Sequence, residues 1–130
     1  MVSASNYCYP VEEADDDWEN IIEKGRGQLN GLDALNLGGG WVLISGAEVG
    51  DNSCHLYRES NWYTEGKTLD DIKEHAKANG YGGFSVITQP GNVNYGTVFF
   101  KKCRHKWYGS VHNLEESNIT DFYLYREEDF

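Results

Sequence analysis

Residues 68–102 read TLDDIKEHAKANGYGGFSVITQPGNVNYGTVFFKK, and this stretch decides the fold because it reads as one helix running into a β-hairpin. Thr68 offers a side-chain oxygen to cap free backbone N–H groups. Asp70 and Asp71 follow it, and their carboxylates complement the positive end of a helix dipole. Leu69, Ile72 and Ala76, with the stem of Lys73, recur at three- and four-residue spacing, while Asp70, Asp71, Glu74 and Lys77 point elsewhere, which predicts an amphipathic helix covering a core. Asn79 and Gly80 stop it, since both tolerate the left-handed conformation that closes helices. After Gly82 and Gly83, the apolar run Phe84-Ser85-Val86-Ile87 predicts a strand. Thr97-Val98-Phe99-Phe100-Lys101 answers it across a turn rich in Pro90, Gly91, Asn92, Asn94 and Gly96.

A helix opening on Leu-acidic-acidic, a small-residue stop, a Gly-Phe-Ser strand and a returning strand ending in aromatic-Phe-Lys resembles the central unit of PAN/apple-like domains. In that family the helix carries cysteines that staple it to neighbouring strands. Aligning Gly83-Phe84-Ser85 puts Ile72, Ala76 and Tyr81 roughly where those cysteines lie, so this chain departs from the pattern. The resemblance covers the Thr68–Lys102 segment. It implies a compact sheet with one helix across it and a role in binding protein or carbohydrate, and it brings no catalytic residues with it.

A chain of 130 residues with 39% hydrophobic content is near the size of one domain and long enough to bury a core without covalent staples. The net charge of −10 and the pI near 4.7 argue against general nucleic-acid or anionic-membrane binding, because such partners need an excess of Lys and Arg. Cys8, Cys54 and Cys103 are an odd number, far apart and without a C-x-x-C pair, which fits a reducing compartment better than a disulfide framework. The segment MVSASNYCYP has neither the basic start nor the apolar core of a signal peptide, and no run is long enough to cross a bilayer. The expectation is a cytoplasmic protein, with secretion as the alternative if the chain is a mature form.

From the N-terminus, Val11–Lys24 predicts a helix with Val11, Ala14, Trp18, Ile21 and Ile22 on one face, started by Pro10 and ended by Gly25. Residues 28–37 carry Leu29, Leu32, Leu35 and Leu37 among Asn and Gly, and fit either a short helix or an irregular packed loop. Trp41-Val42-Leu43-Ile44-Ser45 predicts a strand central in a sheet. Cys54–Glu59 and Asp121–Arg126 are further strand candidates. The expected architecture is α+β: a single small domain with a mostly antiparallel sheet of about five strands and one or two helices packed on it. Within it, an acidic N-terminal helical segment of about 11–37 precedes a PAN/apple-like core of about 38–130.

No catalytic or metal-ligand signature stands in the sequence, and none implies a cofactor. Asp15, Asp16, Asp17 and Glu19 lack the alternating acidic positions and glycine turn of a calcium loop and read as a solvated helix face. Cys103 and His105 share one side of an extended chain, yet two ligands do not make a metal site, and no spacing makes His55, His75 or His112 converge on them. Cys54 and His55 are adjacent strand residues that face opposite ways. Asn118-Ile119-Thr120 matches the glycosylation sequon, which carries weight only on a secretory route. The basic run of Lys101, Lys102, Arg104 and Lys106, followed by Trp107 and Tyr108, fits either a patch for an anionic group beside a stacking ring or the charged end of a strand.

Aromatic residues make up 14% of the chain. Trp41 and Phe99 read as core, whereas Trp62, Tyr63, Tyr95, Trp107 and Tyr108 occur in polar surroundings where flat rings with hydrogen-bonding edges suit recognition. The leading reading is a noncatalytic recognition module that binds carbohydrate or a protein partner through Asn92, Asn94, Tyr95, Lys102, Arg104, Trp107 and Tyr108. The alternatives are an acidic inhibitor or nucleic-acid mimic acting through its N-terminal helix, and a small enzyme using Cys103 or a histidine.

Overall fold

A computed structural model describes residues 18–29, 31–49, 56–59, 67–101 and 114–125. Within them the chain runs α1 (Trp18–Lys24), β1 (Arg26–Leu29), β2 (Leu32–Gly38), β3 (Trp41–Ile44), β4 (Ala47–Val49), β5 (Leu56–Glu59), α2 (Leu69–Ala78), β6 (Gly83–Ile87), β7 (Val98–Lys101), β8 (Leu114–Glu116) and β9 (Thr120–Tyr125). The fold is α+β, built on an antiparallel sheet of seven strands in the order β1-β2-β3-β9-β6-β7-β5, with β4 and β8 pairing separately.

The helix-hairpin unit forms where its local chemistry places it. The Thr68 N–H donates to Asp71 Oδ2 at 2.9 Å while the Asp71 N–H donates to Thr68 Oγ1 at 3.1 Å, a reciprocal capping box. Gly80, at φ +73°, closes the other end. Ile72 and Ala76 are buried, with Leu69 packed against the same cluster.

Side chains alternate across the sheet and divide the core in two. On one face, Trp18 and Ile21 of α1 meet Leu29, Ala34, Val42, Ile44, Phe122 and Leu124, joined by Ala47 of the small sheet. On the other, Ile72 and Ala76 of α2 cover Trp41, Phe84, Val86, Val98, Phe100 and Tyr123. Phe84 and Tyr123 stack there at 4.8 Å between centroids, and Trp41 lies 5.4 Å from Phe84 and 4.8 Å from Tyr125. β3 and β9 are buried on both faces, as the apolar run at Trp41 predicts.

Three sequence expectations are corrected or extended. The segment read as a short helix or packed loop is instead strand: Gln28 and Leu29 end β1 and Leu32 begins β2, with Leu29 opposite Leu32 and Gly31 at φ +81°. The small sheet is an addition, and the main sheet has seven strands rather than about five. Lys101 is not part of a surface patch; it ends an internal strand and is 1% exposed. Of the long N-terminal helix, Trp18–Lys24 is described and residues 11–17 lie outside the described residues.

The strand registers put the turns into two groups. At one end lie the β1–β2 turn, Ser45-Gly46 after β3, Ser117–Ile119 before β9, and the 88–97 loop joining β6 to β7. Gly82, Lys101 and Tyr125 meet at the other end, where the Gly82 N–H donates to Lys101 O and the Tyr125 N–H to Gly82 O.

Candidate functional site

The 88–97 loop is built from three successive hydrogen-bonded turns. The Asn92 N–H donates to Gln89 O at 3.2 Å around Pro90-Gly91, with Gly91 at φ +90°, as a turn with proline second and glycine third requires. The Tyr95 N–H then donates to Asn92 O at 2.9 Å, and the Thr97 N–H to Asn94 O at 3.0 Å. Inside the middle turn, Asn92 Oδ1 accepts from the Asn94 N–H at 2.8 Å, so that side chain holds the backbone rather than reaching outward. The Gly96 N–H donates to Ile87 O and the Ile87 N–H to Thr97 O, which joins the loop to the strands.

This frame settles what faces solvent. Val93 is 93% exposed and Tyr95 43% exposed, and Asn94 is exposed beside them. A nearly naked valine at the tip of a hydrogen-bonded loop is a feature the sequence reading missed; its flanking asparagines were the available signal.

The loop is fastened to its neighbour by the Thr88 N–H, which donates to Ile119 O at 2.7 Å. The neighbouring turn is equally constrained. Ser117 Oγ accepts from the N–H groups of Ile119 and Thr120, both at 3.2 Å, and the Ser117 N–H donates to Gly46 O at 2.8 Å. The Gly46 N–H in turn donates to Asp121 Oδ1 at 2.8 Å. Thr120 is buried and its hydroxyl donates to Ala47 O at 2.9 Å, while Asn118, first residue of the sequon, is exposed.

Beside these turns lies a cleft of two adjoining lobes that share Asp33 and Ser45. The larger, about 630 Å³, is bordered by Gln28 and Leu32 from the first hairpin and by Glu116, Ser117 and Asn118. The smaller, about 290 Å³, extends along the sheet over Leu35 and Leu43 with Arg26 at its edge. Arg26, Leu35, Leu43, Tyr123, Phe84 and Phe100 occupy successive paired positions across the sheet. The helix α2 packs over the Tyr123–Phe100 part of that row, and Leu35, 39% exposed, stands at its other end. The sequence reading had no signal for the cleft, because its lining comes from separated segments.

Of the residues expected to form the site, Asn92, Asn94 and Tyr95 stand together at the loop end. Lys102, Arg104, Trp107 and Tyr108 lie outside the described residues, as do Trp62, Tyr63, Cys8, Cys54, Cys103, His55, His105, His112 and Asp15–Asp17. Lys101, the first residue of the basic run, lies opposite Gly83 at the end of the hairpin away from the loop.

A second polar cluster sits on the α1 face. Ser85 Oγ donates to Glu48 Oε1 at 2.6 Å, and Lys101 Nζ is 3.7 Å from the same oxygen. Hydroxyl, carboxylate and ammonium together suggest nucleophile chemistry, but Ser85 and Lys101 are buried, so no substrate atom reaches the hydroxyl. The arrangement instead ties the small sheet to the large one. His75 packs its ring 4.9 Å from Phe100 and 6.2 Å from Tyr81.

Among the described residues no group of three or more His, Cys, Asp and Glu side chains is gathered to hold a metal, and no helix is long and apolar enough to cross a membrane. The chain matches no protein-family model, no curated protein and no solved structure.

Proposed function

We propose that this protein is a noncatalytic recognition domain that binds carbohydrate across the loop end of its sheet. The observation that carries the reading is the 88–97 loop itself: hydrogen bonds within the loop fix its backbone before any ligand arrives, and they leave Tyr95 and Asn94 on the surface. A site ordered in advance loses little conformational entropy on binding, and a tyrosine ring beside an amide suits the apolar face and the hydroxyls of a sugar. The resemblance of Thr68–Lys102 to PAN/apple-like domains supports the same class, with α2 lying across β6, β7 and β9. The wide separation of the three cysteines supports a cytoplasmic setting.

A protein ligand is the second reading, favoured by Val93, an apolar side chain almost fully in water at the loop tip. A glycan-array screen of the purified protein and of Tyr95→Ala separates the two. Selective glycan binding lost on substitution establishes the carbohydrate reading; a blank array rejects it and transfers the loop to a protein partner.

A further inference from the structure

The cleft bordered by the Ser117 turn, at the same end of the sheet as the 88–97 loop, has the chemistry to say which saccharides it accepts. Its two lobes, about 290 and 630 Å³, fall at or within the roughly 300–1,000 Å³ typical of small-ligand sites. Its walls are fixed: Ser45 and Gly46 are held through the Gly46–Asp121 and Ser117–Gly46 hydrogen bonds, and Asp33 lies on a paired strand where its Oδ1 accepts from Gln28 Nε2 at 3.4 Å. Leu35 and Leu43 give the smaller lobe an aliphatic floor able to take the C–H face of a sugar ring.

Charge then discriminates. Asp33 and Glu116 border the larger lobe, and among the described residues no lysine or arginine lines it, while Arg26 borders the smaller one. An ionised carboxylate accepts hydrogen bonds from hydroxyl groups, whereas a sulfate, uronate or sialate brought between such groups meets like charge at short range. The net charge of −10 adds to that repulsion. Gln28 and Asn118 supply amides that both donate and accept.

We propose that this cleft is the sugar-binding subsite of the domain and that it selects uncharged over anionic saccharides. The proposal rests on the carbohydrate reading above and adds a location and a specificity to it. The test is an array of uncharged hexose oligosaccharides beside their sulfated and sialylated counterparts, followed by calorimetry on the bound members with the natural chain, Asp33→Asn, Leu35→Arg and Tyr95→Ala. Uncharged members are expected to bind, with anionic counterparts about tenfold weaker or worse, a difference of about 1.4 kcal/mol. Asp33→Asn is expected to narrow that gap, and Leu35→Arg to abolish binding while leaving the melting temperature in place, since Leu35 is partly exposed.

Equal or tighter binding of anionic members overturns the proposal. So does unchanged binding by both cleft variants when Tyr95→Ala loses it, a result that keeps the carbohydrate reading and moves its site to the loop alone. A blank array overturns the reading and the subsite together.

Discussion

Gly83 is where the sheet admits no side chain, and Gly83→Ala tests the packing of β6 on β9 quantitatively. A Cβ added there would lie 2.4 Å from Tyr123 O, 3.1 Å from Phe122 Cζ and 3.3 Å from Leu124 Cα. The nearest of these is a backbone oxygen of the paired strand, so relief requires the strands to separate or slide. Gly83 is not among the glycines at positive φ, so the cost is steric rather than torsional. Overpacking a closely fitted interior costs about 1–3 kcal/mol, and a clash against backbone puts Gly83→Ala near the upper value, about 3 kcal/mol. For a domain of this size that is a fall in Tm of roughly 10 °C. Gly91→Ala is the control: open space surrounds it, but φ is +90°, so the expected loss is only the left-handed penalty of roughly 1–2 kcal/mol. Urea unfolding followed by far-UV circular dichroism and by Trp fluorescence measures both. A Gly83→Ala variant within about 0.5 kcal/mol of the natural chain, a change usual for tolerant surface positions, refutes the close approach of β6 and β9.

Removing the reciprocal cap of α2 by Thr68→Ala is expected to cost about 1 kcal/mol, read as a lower urea midpoint at unchanged slope. Glu48→Ala takes the carboxylate from a buried ammonium and an acceptor from Ser85, and allowing for the partial exposure of Glu48 it is expected to destabilise by about 2 kcal/mol. Lys101→Met is expected to cost less in the Glu48→Ala background than in the natural chain, because the two groups interact; strictly additive losses across the double-mutant cycle contradict the coupling.

The helix-hairpin unit was legible because its signals are local: Thr68 with Asp71, Asn79-Gly80, and Pro90-Gly91 act on residues a few positions away. The first hairpin was hidden by its position between two cores. Leu32 and Ala34 pack with the α1 face, Leu37 packs with the α2 face and Leu35 pairs across the sheet with Arg26 and Leu43, so β2 shows no two-residue alternation of polarity. The usable signal was the Asn30-Gly31 dipeptide between Leu29 and Leu32, which fits a two-residue hairpin turn. β4 and β8, three residues each, are too short to carry a pattern. Lys101 is buried beside Glu48, a partner far away in sequence, which its basic neighbours could not signal. The same division holds at the site: Asn92, Asn94 and Tyr95 lie in one loop and could be read, whereas Asp33, Ser45 and Ser117 come together only when the strands pair.

The most direct test of where this domain binds is a titration of the isotopically labelled protein with a glycan selected on the array, followed by backbone amide chemical shifts. The account predicts perturbations concentrated in residues 88–97, at Asp33, Ser45 and Gly46, and at Ser117–Ile119. Shifts concentrated instead at Gly82, Lys101 and Tyr125, at the opposite end of the sheet, contradict it.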